Sequence, residues 1–212
     1  MLRILRNLFS SAPSPSRIEE REQVYQRFFG VPPAIFHSTD RGFPHIDVYH
    51  FEPTEARSFH TLITGGMAEY RQPGDEARAP RRLELMMYLQ RREQWAVNSL
   101  KVMAEYPARY DTFFDAFHTL PMGATIAENS EISAFLLATP ENEGLIGLEF
   151  DVEGDSVEYL LAIPITAAEH AFAVDVGSDV LYGRLKETNL LIHADAERRS
   201  IVDHPDESGH AS

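Results

Sequence analysis

The chain has 212 residues, 43% hydrophobic and 10% aromatic, which is enough for one domain with a packed core and too apolar for wholesale disorder. It contains no cysteine, which removes disulfides, thiolate metal sites and a cysteine nucleophile together and fits a reducing, cytoplasmic compartment. Its net charge is −14, and the excess is confined to one stretch: between Arg109 and Arg184 there are 14 acids and no lysine or arginine, whereas the rest of the chain balances 19 acids against 19 bases.

Residues 1–16 (MLRILRNLFSSAPSPS) read as a flexible N-terminal segment; Arg3 and Arg6 interrupt its only apolar run, and no segment approaches the ~20 apolar residues that span a bilayer. Ser16 and Glu19 form a capping box for a helix to Phe29, with Ile18, Tyr25, Phe28 and Phe29 on its buried side and Gly30 with Pro32-Pro33 stopping it. His45 to Phe51 alternates Ile46, Val48 and His50 against His45, Asp47 and Tyr49, the period of a strand. Phe59 to Thr64 is a second strand ending at Gly65-Gly66, Gln72 to Pro80 a loop, and Leu83 to Leu89 a third strand. A helix follows from Gln94 to Tyr106, with Trp95, Leu100 and Met103 inward and Pro107 at its end.

Thr119 to Asn129 reads as irregular, and Ala134 to Ala138 as a short buried strand. Leu145 to Val152 and Val157 to Ile165 form two strands joined at Glu153-Gly154-Asp155, a hairpin signal. Thr166 and Glu169 form a second capping box, Gly177 ends that helix, and Ser178 caps a last one through Lys186. From Asp195 onward the chain is polar, and 196–212 reads as a disordered tail. Helix, strands, helix, strands and two helices predict an α+β domain over 17–195, an α/β sandwich in which helices pack on one mixed, largely antiparallel sheet.

Catalytic motifs are missing from this pattern. There is no G-x-S-x-G elbow, no G-x-G-x-x-G, no Walker loop and no H-E-x-x-H among the nine histidines, so no catalytic, cofactor-binding or metal-ligating residue is assigned. His45, Asp47 and Tyr49 share a strand face, and an enzymatic reading would need a pocket that gathers them with acids of the second half. Thr64-Gly65-Gly66 is read as a tight turn or bulge, with close ligand approach as the alternative. Asp151, Glu153 and Asp155 alternate, but without the closing glutamate of a calcium loop they read as a solvated turn. Tyr110, Phe113, Phe114, Phe117 and His118 are expected in the core. Arg78, Arg81, Arg82, Arg91 and Arg92 flank the third strand, either guarding a sheet edge or pairing with the acidic half. The acidic half repels phosphate backbones, which excludes nucleic acid, and favours a cationic protein partner; solubility alone is the competing explanation of the same charge.

Six segments in order resemble the suppressor of fused (SUFU) domain family: HIDVYHFEPTEARSFHTLITGGMAEY (45–70), RRLELMMYL (81–89), the tryptophan helix ending A-E-Y-P (94–107), FHTLPMGATI (117–126), AFLLATPEN (134–142) and VEYLLAIPITAAEHAFAVDVGSDVLYGRL (157–185). The resemblance implies a non-enzymatic domain that works by binding proteins, of the single-domain bacterial type similar to immunity proteins that neutralise toxins. Tyr70, in the A-E-Y that stands for the family's S-D-x-Y turn, is the position it carries over as a partner contact. Together with the charge, this makes Tyr70, Glu141, Glu143, Asp151, Glu153, Asp155 and Glu158 the expected footprint of a basic toxin domain. A homo-oligomerising module joined through a sheet edge, and an enzyme with an unrecognised carboxylate or histidine site, remain the alternatives.

Overall fold

The computed structural model describes residues 16–38, 44–75, 78–140, 148–192 and 194–202. Helix α1 (Arg17–Phe29) starts as its capping box predicts: Glu19 N–H donates to Ser16 Oγ at 3.3 Å, and Ser16 N–H to Glu19 Oε2 at 2.6 Å. It ends at Gly30, whose φ of +85° lies in the left-handed region glycine tolerates. Strands β1 (Ala34–Phe36), β2 (Asp47–Phe51) and β3 (His60–Gly65) follow, then a 3-10 turn at Met67–Glu69, β4 (Arg82–Leu89), α2 (Gln94–Tyr110), β5 (Thr119–Pro121), β6 (Ile132–Ala138), β7 (Asp151–Val152), β8 (Asp155–Thr166), α3 (Ala167–Asp175) and α4 (Ser178–Glu187). They form one sheet of order β1-β2-β3-β4-β8-β6-β5, with β7 paired to β8; among these pairs only β4 and β8 run parallel.

Both faces of the sheet are covered. One face packs α1, α3 and α4 over Tyr49, Phe51, Ile63, Met86, Leu136 and Ile163. The other packs α2 over Ile46, Val48, Leu62, Leu83, Leu85 and Leu137. The predicted alternation of β2 therefore sorts residues between two cores, not between core and water, and all five of its residues are buried. In β4 the same period sends Leu83, Leu85, Met87 and Leu89 toward α2, and Glu84, Met86 and Tyr88 toward α1.

Several expectations change. Ile18 is half exposed, because the first turn of α1 projects toward the β7–β8 hairpin, where Arg17 meets Glu153; Arg21, Val24, Tyr25 and Phe29 form the buried stripe instead. Pro107 does not end α2 but sits in its last turn, and the helix closes three residues later as Asp111 turns left-handed at φ 49°. A proline there costs only the bond to the carbonyl four residues back, which the remaining turns tolerate. The stretch 119–129 contains β5, too short to show a period, paired to Ala134–Leu136. The strand expected over 145–152 is only Asp151–Val152 within the described residues, and 145–147 lie outside them. Its hairpin holds: Glu153 and Gly154, at φ 56° and 86°, make a two-residue turn. Gly177, not Ser178, caps α4, with no side-chain bond. Tyr110 is 61% and Phe117 43% exposed, so of the aromatic run expected in the core only Phe114 is fully buried. Finally, packing extends past 195: Ala196 and Val202 are buried, and Arg198 forms an ion pair with the fully buried Glu169 at 2.6 Å.

Candidate protein-binding surface

The basic cluster flanks β4, whose first residue is Arg82 and which lies in the middle of the sheet, so it guards no edge. Arg78, Arg81 and Arg82 pair with the acidic half and take up acids expected for a partner, whereas Arg91 pairs with Glu93 and Asp195 outside it. Arg82, 4% exposed, donates to the carbonyls of Ala68 and Glu69, to Glu153 at 2.6 Å and to Asp155 at 3.2 Å. Glu153 also accepts from Arg17 at 2.9 Å, and Asp155 from Arg71 at 2.7 Å. Arg81 bridges Asp115 and Glu158 at 2.9 and 3.0 Å, and Arg78 joins Asp115. Bonding to Arg17 and Arg82 holds the Glu153 carboxyl below the ordinary range; bonding to Arg71, against a smaller opposing effect of burial, does the same for Asp155. Of the remaining footprint residues, Asp151 is exposed on β7, while Glu141 and Glu143 lie outside the described residues.

Tyr70 is half-buried at the end of the 3-10 turn, and its hydroxyl donates to Asp111 Oδ1 at 2.8 Å. Burial and that bond push the phenol up to about 12. The contact ties the turn to the end of α2, next to exposed Tyr110.

Thr64 and Gly65 end β3, paired to Val48 and Asp47, and the chain turns at Gly66 into the 3-10 turn; both glycines answer to named neighbours. A Cβ on Gly66 would lie 2.1 Å from the His45 carbonyl oxygen, with φ at +112°; one on Gly65 would lie 2.6 Å from Arg21 Nε. The turn aims two backbone N–H groups at Glu84, which is fully buried: Gly66 N and Ala68 N donate to Oε1 at 2.9 and 3.2 Å, and Thr64 Oγ1 to Oε2 at 2.7 Å. Burial raises the Glu84 carboxyl above its ordinary range, against the lowering effects of Arg21 and these donors. The group anchors the turn inside the fold and faces no opening, so close ligand approach is not what the glycines serve.

Of the enzymatic set, His45 and Asp47 come together with His37, at 3.5 and 3.1 Å to Asp47 Oδ1. Tyr49 turns under α1, where its hydroxyl accepts from Arg21 and donates to Glu22. Among the described residues no three metal-ligating side chains lie in reach of one ion. No described helix is long and apolar enough to cross a membrane.

The remaining candidate is the β5 end of the sheet. Leu137 N donates to His118 O and Met122 N to Ser133 O, so the alternation of an antiparallel ladder turns the backbone groups of Thr119 and Pro121 away from β6. On the α2 side a shallow groove is lined by Val102, Tyr106, Tyr110, Leu120 and Met122. On the other side Phe117 meets Tyr182 of α4, ring centroids 5.8 Å apart. Val102, Tyr110 and Phe117 are exposed large apolar side chains flanking a strand edge that no other strand pairs with among the described residues. Exposed Val102 and Tyr110 stand outside the apolar stripe of α2, the only trace of this surface in the sequence; the edge itself needed the pairing.

The family model described as Suppressor of fused protein (SUFU) matches residues 42–199. Among solved structures, a SUFU homolog from Neisseria gonorrhoeae is 17% identical with a TM-score of 0.64, over 87% of this chain and 98% of its own. A Sufu–Fu complex structure is 15% identical with a TM-score of 0.63, over 86% of this chain and 89% of the matched one. Drosophila Suppressor of Fused is 15% identical with a TM-score of 0.62, and this chain covers 49% of its length. At these identities the likeness is one of fold. No curated protein matches.

Proposed function

Because the chain belongs to the suppressor of fused family, a family of protein-binding and regulatory domains, we propose that it acts without catalysis, by holding a protein partner on the β5 edge. The observation that carries this is the convergence of a strand edge unpaired among the described residues with exposed Val102, Tyr110 and Phe117. An extended segment laid along β5 would gain main-chain bonds at Thr119 and side-chain burial on both flanks, the strand-addition mode of peptide recognition.

The finer reading is an immunity-type protein whose partner is a basic toxin domain. The net charge of −14 supports it, although Glu153, Asp155 and Glu158 are already paired within the chain. Charge then serves long-range steering more than contact, so it governs association more than dissociation. The test is binding of a toxin domain encoded beside this chain, comparing wild type with Tyr110→Asp and Phe117→Asp. Loss of binding with unchanged melting supports the β5 surface; unimpaired binding by both variants refutes it.

A further inference from the structure

We propose that the outer face of α3 and α4 is a self-association surface, on which a second copy of this chain docks about a two-fold axis, helices against helices and not strand edge against strand edge. Helix α3 buries one side, Ala168, Glu169 and Ala173. Its opposite side carries Ala167, Ala171 and Val174 at i, i+4 and i+7, all of them exposed. A helix on the surface of a lone domain turns a polar stripe outward; this stripe is apolar and gives way to charge only at Asp175. The patch continues around the corner into α4, where Val174, Val176 and Val180 are 69%, 56% and 41% exposed. Exposed apolar side chains scattered singly are ordinary, but three within residues 174–180, beside a bare apolar stripe, make a patch.

The charges that border the patch decide what fits it. Asp175 and Asp179 are exposed at the α3–α4 corner. Arg184 and Lys186 stand in the last turn of α4, roughly 7–10 Å further along the helix at about 1.5 Å per residue. They are the only bases between Arg109 and Arg198. Arg184 lies over the Phe172 ring of α3 at 4.4 Å, which holds its guanidinium beside the patch. An acidic end and a basic end on one apolar face are self-complementary: a two-fold axis sets the corner acids of each copy against the α4 bases of the other. A uniformly basic partner would meet Arg184 and Lys186 as like charges. The surface therefore selects a copy of the chain itself, and it stands independently of the β5 reading.

The net charge of −14 opposes the approach of two copies at long range, but at ~0.15 M salt charges more than ~8 Å apart are largely screened and the contact itself decides. Helices of nine and ten residues offer less than the ~800 Å² per partner of a standard interface, so the dimer is weak and forms with concentration.

Sedimentation equilibrium from about 5 to about 500 µM, the range in which a small interface assembles, tests this. The expected result is a mass rising from that of one 24.0 kDa chain toward twice that value. Val174→Asp, at an exposed position that the core does not use, should raise the dissociation constant at least about tenfold, because the two-fold axis places each change twice in the contact. The charges have their own readout. Asp175→Lys with Asp179→Lys makes the border wholly basic, and Arg184→Glu with Lys186→Glu makes it wholly acidic. Neither double variant should self-associate, whereas an equimolar mixture of the two should form a mixed dimer. The mass of one chain throughout the range for the wild type overturns the proposal, and because it is read on the native chain, a variant that fails to fold does not shelter it. A dimer that Val174→Asp leaves intact, or a mixture that stays monomeric, overturns it equally.

Discussion

Gly66 shows how little room a single residue has at the β3 turn. Its positive φ and the His45 carbonyl beneath it leave no space for a methyl group. Gly66→Ala is expected to destabilise the domain by about 3 kcal/mol, from backbone strain and displacement of His45, as urea denaturation would measure. The turn also delivers donors to Glu84, whose carboxyl burial holds above its usual range. A raised folded pKa binds protons more tightly in the fold, so this group favours the folded state at acid pH, and the benefit fades as pH rises through that raised value. Glu84→Gln has no such titration. The stability of wild type relative to Glu84→Gln should therefore fall from about pH 4 to about pH 8, and parallel curves would refute the assignment. The glycine pair was legible as the place where a strand ends, although Gly65 still pairs within β3 and the chain turns only at Gly66; that the segment cradles a carboxylate twenty residues away was not, because nothing local links Thr64 to Glu84.

Among the elements, the two capping boxes were the most reliable signals, since Ser16–Glu19 and Thr166–Glu169 act within one turn and need no other part of the chain. The second gained a role the sequence did not show. Glu169 caps α3 and also accepts from both terminal nitrogens of Arg198 at 2.6 Å and from Ile201 N at 3.0 Å, fastening residues 194–202 to the sheet. Arg198→Met leaves that carboxylate buried without its cation, and the expected cost is about 3–5 kcal/mol. A melting temperature within a degree or two of wild type would contradict it. Short elements were the ones missed. β5 has three residues and exists only because β6 pairs with it, and the 3-10 turn is fixed by Arg82 reaching the carbonyls of Ala68 and Glu69.

For the whole molecule, charge and pairing divide the question. With three of the expected contact acids bound to Arg17, Arg71, Arg81 and Arg82, the remaining field would steer a cationic partner of the kind proposed without having to touch it. Raising salt from about 50 to about 500 mM should slow association of a basic partner at least about tenfold and change dissociation little. A dissociation rate carrying most of the salt effect would return the hairpin acids to the interface. Composition, charge segregation, capping boxes, the hairpin and the order of elements were set by the sequence alone, because each depends on residues close along the chain or on simple counts. The tertiary structure decided which strand lies at the edge, which acids are already partnered and which aromatics face water. Those facts depend on strand order, and strand order is a pairing between residues far apart in sequence: β4 beside β8 brings Arg81 and Arg82 onto the acids, and the order places β5 at one end of the sheet with no further strand beside it among the described residues.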